Sequence, residues 1–440
     1  MGKEAIFISE KVVSGLKWSN RLVSQNGDLF LYEENKYVRV PFNDIIREIV
    51  IWLKTSKSFS DLNYKNIQDI ASLIIAQSPP PTHNIYQLRD VSKSHIPLSN
   101  VMLELTRSEK YLHMKTVNHS REFFNLHSLN FEYKPKAGCK HFIAFLKSVL
   151  SDEEILLLQE WFGYQLIPSN YAHKMMIMFG QGANGKSVIC LILRLLLGEN
   201  NVSSVPLNAF LPNSRFSLAQ TEGKLANIVE EMDELSTVLT ASLKQYVAGG
   251  EMTIERKFRD GYRMKPTARL TFATNTLPKF KDESDGIWRR LLILNFTRQF
   301  LDESEQNKNL SDPTYWISTD EMSGIFNWSL KGLKRLSSND WTFTSPPSMT
   351  NLLNSYRMDL NPEQQFIKDY LKESPEGSLG SMEVYARYTK FCNDNGFYRK
   401  NHIYFSKELL KTLKHVKVST HPQRIGGIRT RIMKGVTWAD

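Results

Sequence analysis

The chain has 440 residues, 41% of them hydrophobic and 23% charged, the composition of an ordinary folded protein with length for two or three domains. No apolar run reaches the ~20 residues of a membrane span and the first residues lack a signal-peptide core, so a cytoplasmic location and no membrane contact are expected. Cys139, Cys190 and Cys392 lie far apart without metal-ligand spacing, which argues against a disulfide framework or a zinc site.

Residues 1–140 mix short strand and helix signals. Asp28–Tyr32 and Lys36–Val40 read as a hairpin around Glu33-Glu34-Asn35, Phe42–Leu53 has helical apolar spacing, and Ser78-Pro79-Pro80-Pro81 ends whatever precedes it. This is an accessory α+β module to which the residues assign no chemistry. Ser151 with Glu154 forms a capping box, and the helix it starts is expected to turn Ile155, Leu156, Leu158, Trp161 and Phe162 inward and to stop before Pro168.

The most informative stretch follows. The apolar run Met175–Phe179, the loop Gly180-Gln181-Gly182-Ala183-Asn184-Gly185-Lys186-Ser187 and the run from Val188 to Leu193 read as strand, glycine loop and helix. Glycines at 180, 182 and 185 let backbone N–H groups turn inward around a phosphate, and a helix starting near Lys186 adds the positive end of its dipole. Lys186 would reach the β- and γ-phosphates of ATP, and the Ser187 hydroxyl would hold Mg²⁺.

Leu225–Val229 reads as a second buried strand ending in Glu230-Glu231. Carboxylates at the C-terminal edge of a parallel strand lie where α/β sheets bind ligands, so Glu230 is assigned to the metal side and Glu231 to the attacking water. A third strand, Ala268–Thr274, delivers Asn275, an amide suited to sensing the γ-phosphate. Between these strands, Thr253–Lys265 is a hairpin signal around Asp260-Gly261 whose Lys257, Phe258, Arg259, Tyr262 and Arg263 suit a phosphate backbone and its bases. Arg289 and Arg290 precede the apolar run Leu291–Leu294. They suit an arginine finger presented to a neighbouring subunit, with a local salt bridge to Asp282, Glu283 or Asp285 as the alternative.

Pro346-Pro347 and the polar run after them read as a linker. Helical spacing over Gln364–Leu371, Met382–Cys392 and Ser406–Leu413 is followed by a strand pair, Val416–Val418 with Ile428–Ile432 around Gly426-Gly427. From Ser381 onward there are 12 Lys/Arg against 4 Asp/Glu, which supplies most of the net charge of +10. Helices followed by a basic wing describe a winged helix-turn-helix, with Lys407, Lys411 and Lys414 in a groove and Arg424, Arg429 and Arg431 on phosphates.

The order of these motifs, Gly180–Ser187, Glu230-Glu231, Gly249-Gly250-Glu251, Thr274-Asn275 with Leu277-Pro278, and Trp288-Arg289-Arg290, resembles the superfamily 3 helicases of the phage and plasmid primase-helicase type. Ile96–Leu105 and Leu158–Tyr164 look like that family's helicase-associated region, and Glu321–Leu336, with Asn327-Trp328 and Gly332-Leu333, like the helical segment after the motor. Glu251 and Glu104 stand where Asp is common in the family. The resemblance implies an α/β architecture: an N-terminal accessory domain (1–140), an AAA+ type P-loop ATPase core (141–345) and a C-terminal winged-helix DNA-binding domain (346–440). It further implies a hexameric ring that hydrolyses ATP with Lys186, Ser187, Glu231, Asn275 and one of the two arginines, while the hairpin near Lys257 tracks single-stranded DNA. The expected function is a ring-forming DNA helicase for replication of a mobile element such as a phage, plasmid or genomic island. The competing reading is an origin-binding initiator that uses ATP as an assembly switch. Fused members carry a primase domain, and no motif for one is visible, so a separate primase is a candidate partner.

Overall fold

The computed structural model describes residues 2–56, 62–81, 83–84, 93–210, 215–232, 238–255, 261–281, 286–302, 306–319, 321–425 and 428–439. The chain divides into two compact units, Met1–Pro346 and Pro347–Asp440.

At the centre of the first unit is a five-stranded sheet in the order Val202–Ser203, Ala226–Val229, Arg269–Thr274, Met175–Phe179, Leu291–Asn295, with every neighbouring pair parallel. Near-continuous apolar strands are what a parallel sheet covered on both faces requires, and Met175–Met178, Leu270 and Leu291–Leu294 are all buried. Phe179 registers with Thr274 on one side and Asn295 on the other, so Gly180, Asn275 and Phe296 leave the sheet at one edge. The strand carrying Asn275 is inserted between the loop strand and the acidic strand, which places its end between the loop and the glutamates.

The capping box forms as the sequence indicates: Ser151 Oγ accepts from Glu154 N at 3.4 Å and Glu154 Oε2 accepts from Ser151 N at 2.9 Å. The helix runs Asp152–Gln165, and every side chain from Leu157 to Gln165 is buried. Leu156, expected inside, is 39% exposed, and Ile155 is only half-buried. It crosses the helix Glu321–Ser338 at glycines. A Cβ on Gly163 would stand 2.4 Å from Ser329 O, and one on Gly332 would stand 2.1 Å from Gln159 O. Phe142, Phe162 and Trp328 seal this crossing, with ring centroids 5.1–5.8 Å apart. The motifs Trp161-Phe162-Gly163 and Trp328 with Gly332 are therefore two sides of one close helix contact.

In residues 1–140, the hairpin Asp28–Glu33 with Lys36–Val40 forms a sheet with Leu22–Gln25, covered by the helices Gly2–Gly15, Phe42–Ser56 and Tyr64–Gln77. Leu29, Ile45, Ile49 and Ile70 are the centre of that core. A second sheet, Lys93–Pro97, Met102–Ser108 and Tyr111–Val117, is tied to the far end of the helix Glu321–Ser338 by Arg107 and Lys110, 3.2 and 2.8 Å from Asp340.

The second unit begins with a helix, Pro347–Leu360, where the sequence reads as a linker: the low apolar content of that stretch hides a helix in which Met349 and Tyr356 are buried. Helices Pro362–Tyr370, Ser381–Asp394 and His402–Thr412 pack on Phe366, Tyr388 and Phe405, the last two stacked at 4.3 Å. The expected pairing of Val416–Val418 with Ile428–Ile432 does not form. Lys417–Val418 instead pairs with Met433–Lys434, and Gln423–Ile425 pairs with Ile428–Thr430 as a separate hairpin. A strand absent from the sequence reading, Leu371–Gly380, forms the outer pair with Ile432–Trp438. Pro375 and Gly377 conceal it, and the register shift between Glu373 and Ser378 is how an edge strand accommodates them.

Candidate nucleotide and nucleic-acid site

The loop closes around its own lysine. Gly180 has φ +154° and Gly185 φ +88°, and a Cβ at Gly180 would stand 2.5 Å from Phe296 O, so glycine is required at both turns. Gly182 faces open space. The helix Lys186–Leu197 starts at Gly185, with Ser187 exposed on its first turn and Val188 beside it partly buried.

Lys186 is only 6% exposed, and its hydrogen bonds go to neutral oxygens: Gly180 O at 2.6 Å, Asn184 Oδ1 at 3.0 Å, Asn275 Oδ1 at 3.2 Å and Gln181 O at 3.4 Å. Burial pulls its ammonium below the ordinary lysine range, against a smaller opposing effect from Cys190. A buried cation held by neutral acceptors at a helix N-terminus is suited to meet an anion. The bond to Asn275 joins two sequence motifs 89 positions apart. Thr274 projects that residue by accepting from Thr276 N at 3.1 Å, and Gly180 N donates to Thr274 O at 3.3 Å.

The two acids differ. Glu230 Oε1 lies 3.2 Å from Arg194 Nε, and Arg194 also donates to Ile228 O and Ser204 Oγ, so the loop helix holds the acidic strand in place. Glu231 is exposed at the sheet edge.

Sequence reasoning missed the far wall of the loop. Phe300 N donates to Ala183 O at 2.7 Å, Gln299 Nε2 to Gly182 O at 3.1 Å, and the Asn184 amide spans Gln181 O and Phe296 O. Arg298 lies 4.7 Å over the Phe300 ring and donates to Ser148 O. No motif marks residues 296–300; the only available signal was their place directly after the fifth strand.

Arg289 and Arg290 are not brought to this loop. They form a short helical turn, Trp288–Arg290, before Leu291, and Leu291 registers with Met175, the first residue of the loop strand. The arginines thus sit a full strand, about 16 Å, from the edge where Lys186 lies. Arg289 is exposed, Arg290 donates to Gly286 O, and Lys174 Nζ donates to Arg289 O at 2.6 Å. Burial and the two arginines hold His173 below its ordinary pKa. The proposed acid partners Asp282, Glu283 and Asp285 lie outside the described residues.

The hairpin is Met252–Ile254 paired with Tyr262–Met264, closed by Ile254 opposite Tyr262. Asp260, with the turn expected at Asp260-Gly261, lies outside the described residues. Lys257, Phe258 and Arg259 lie outside the described residues. The Tyr262 hydroxyl donates to Glu222 at 2.7 Å, and the largely exposed Arg263 lies 3.8 Å from Glu251.

In the second unit, Lys407 and Lys411 are exposed on the helix His402–Thr412, Lys411 lying 3.4 Å from Glu408. Lys414 falls beyond the helix end, because the helix stops at Thr412. Arg424 is the register partner of Arg429 across its hairpin, and Arg424 and Arg431 are exposed. Among the described residues no group of acids, histidines and cysteines is arranged to hold a metal ion by itself, and no helix is long and apolar enough to cross a membrane.

Residues 178–290 match a family described as a family of unknown function, DUF5906. The chain is 24% identical over 282 residues to "Putative helicase L207/L206" of Acanthamoeba polyphaga mimivirus, covering 58% of this chain and 28% of that protein. It is 23% identical over 283 residues to "Putative primase C962R" of African swine fever virus, covering 59% of this chain and 29% of the viral protein. The chain thus spans less than a third of the length of these relatives. In fold it is similar to the apo structure of the NrS-1 C-terminal region, with a TM-score of 0.58 at 11% identity over 98% of this chain and 100% of that one. The names of the viral relatives fit the resemblance to superfamily 3 helicases read from the motifs, and the structural likeness shows a shared fold.

Proposed function

We propose that the chain is the motor of a ring-forming, ATP-dependent DNA helicase serving replication of a mobile genetic element. The observation that carries this reading is the convergence, at one edge of a parallel sheet, of a buried Lys186, Asn275 bonded to it, and the Glu230-Glu231 edge. Lys186 exchanges its loop oxygens for the β- and γ-phosphates, and the inward backbone N–H groups from Gly182 to Val188 hold the remaining phosphate oxygens. Mg²⁺, held by Ser187 and the second oxygen of Glu230, would neutralise charge on the phosphates. Glu231 orients and deprotonates the attacking water, and Asn275 passes the state of the γ-phosphate from Lys186 to its own strand.

An arginine pair a strand length from its own loop suits service to a neighbouring subunit, in keeping with a hexamer whose sites lie between protomers. The strand that relays Asn275 begins directly after the hairpin, so hydrolysis at one edge is coupled to a DNA-gripping element at the other. The second unit, read as a winged helix, presents Lys407, Arg424 and Arg431 to duplex DNA, an origin being the natural target. A separate primase fits as a partner. The test is ATP turnover with and without single-stranded DNA. Wild type is expected to be stimulated by DNA, and Glu231→Gln to bind ATP and retain it unhydrolysed. Glu231→Gln turning over at the wild-type rate would remove the assignment.

A further inference from the structure

The sequence assigns the N-terminal module no chemistry, yet among the described residues it forms one wall of a large cleft. The opening, about 1410 Å³, lies between the sheet Leu22–Val40 and the N-terminal edge of the ATPase sheet, which contributes residues around Tyr171, Lys224, Gly249 and Lys265. That volume exceeds the roughly 300–1,000 Å³ of small-molecule sites and suits a polymer.

The chemistry of the lining is specific. Asp28 is paired with Arg39 at 2.6 Å, Glu251 lies 3.8 Å from Arg263, and Glu222 keeps its charge while accepting from the Tyr262 hydroxyl; Lys36, Lys265 and Lys224, whose Nζ donates to Asn200 O at 2.5 Å, outweigh it from three separate segments. Lys36 and Lys224 line the same cleft, and burial, with a smaller effect from Lys36, lowers the pKa of Lys224. Gathering cations from distant parts of a chain is unfavourable unless a polyanion joins them. Tyr171 is 48% exposed beside this charge, its other edge packed against Trp341, which makes it a base-stacking platform. The cleft is continuous with the hairpin, whose strand Tyr262–Met264 supplies Arg263 and Met264 to the lining. The Asn170 amide fixes the hairpin base by donating to Pro266 O at 3.1 Å and Tyr246 O at 3.5 Å.

We propose that this cleft binds a single strand of DNA, with Lys36, Lys224 and Lys265 on its phosphates and Tyr171 on a base. The module formed by residues 1–140 is then half of a strand-binding groove. This rests on the helicase reading for its choice of ligand, but its test does not require ATP turnover.

The full chain would be titrated with a fluorescent dT20 at several salt concentrations, beside Lys36→Gln/Lys265→Gln and Tyr171→Ala. The double variant is expected to bind about tenfold more weakly, with a log–log salt slope lower by about 0.7 for each lysine removed. Tyr171→Ala should weaken binding with the slope unchanged. Because a variant can fail by misfolding, the wild-type chain would also be photocrosslinked to dT20 carrying 5-iodouracil and the adduct mapped. Adducts on Tyr171 or on residues 36–39 support the cleft. Adducts confined to residues 252–264 or to the second unit, with the salt slope of the double variant unchanged, overturn it. Equal competition by duplex DNA also overturns the single-strand assignment. If the cleft crosslinks to DNA in a protein that never unwinds it, the helicase reading fails and the cleft stands.

Discussion

The two edges of the central sheet are built on opposite terms. At the C-terminal edge the loop, Asn275 and the segment 296–300 satisfy one another through short hydrogen bonds, and the cation at their centre is buried. At the N-terminal edge Arg289 and Arg263 are exposed, and Lys36, Lys224 and Lys265 line an open cleft. One edge is closed around a buried cation, the arrangement that the proposed nucleotide site requires. The other presents charge outward, to a surface or a polymer. A strand of five or six residues joins them, short enough to transmit a shift and too long for the arginines of one edge to serve the loop at the other.

The sharpest way to break this division is to remove the charge of each edge separately. Lys186→Ala is expected to lower ATP hydrolysis by roughly a thousandfold or more, measured as phosphate release, since the lysine contacts charge that develops on the phosphates. Removing Arg289 and Arg290 together should cost at least ~10²-fold in hydrolysis while leaving ATP binding to the monomer unchanged. Mixing that variant with Lys186→Ala should restore part of the activity, because a site of the proposed ring would take its lysine from one subunit and its arginine from the next. No recovery on mixing would return the arginines to a structural role.

The scaffold between the edges allows smaller tests. Gly163→Ala forces a Cβ to within 2.4 Å of Ser329 O and is expected to cost about 1–3 kcal/mol in urea unfolding. His127, buried beneath the N-terminal wall, is held neutral with its pKa pulled down to about 3 by burial and by Arg269 and Lys36. A base whose folded pKa is depressed contributes stability above its unfolded pKa and loses it on acidification. Stability is therefore expected to fall from pH 6.5 toward pH 3, by at most about 1.4 kcal/mol per pH unit from this group. His127→Gln should flatten that limb of a stability–pH curve.

Sequence made the C-terminal edge far more legible than the N-terminal one. Glycine spacing, an apolar strand and acids at a strand end are local patterns, and each maps onto one turn of backbone. The Lys186–Asn275 bond, the Arg194–Glu230 pair and the brace from Gln299 and Phe300 depend on strand order, which no local pattern carries. The position of Arg289 and Arg290 became clear only through the register of Leu291 with Met175. In the second unit, Leu371–Gly380 was hidden because Pro375 and Gly377 break the alternation that marks a strand, and the antiparallel partner Ile432–Trp438 supplies the missing stability. The cleft was invisible for the same reason as the bond to Asn275: its lysines lie far apart in the chain, and each alone is an ordinary surface charge.

The most direct test of the whole account is strand displacement from a forked DNA by the purified protein with ATP, beside Lys186→Ala under the same conditions. Displacement by the wild type and none by the variant is the expected result. ATP hydrolysis stimulated by DNA with no strand displaced would contradict the motor reading and favour an initiator in which ATP switches assembly.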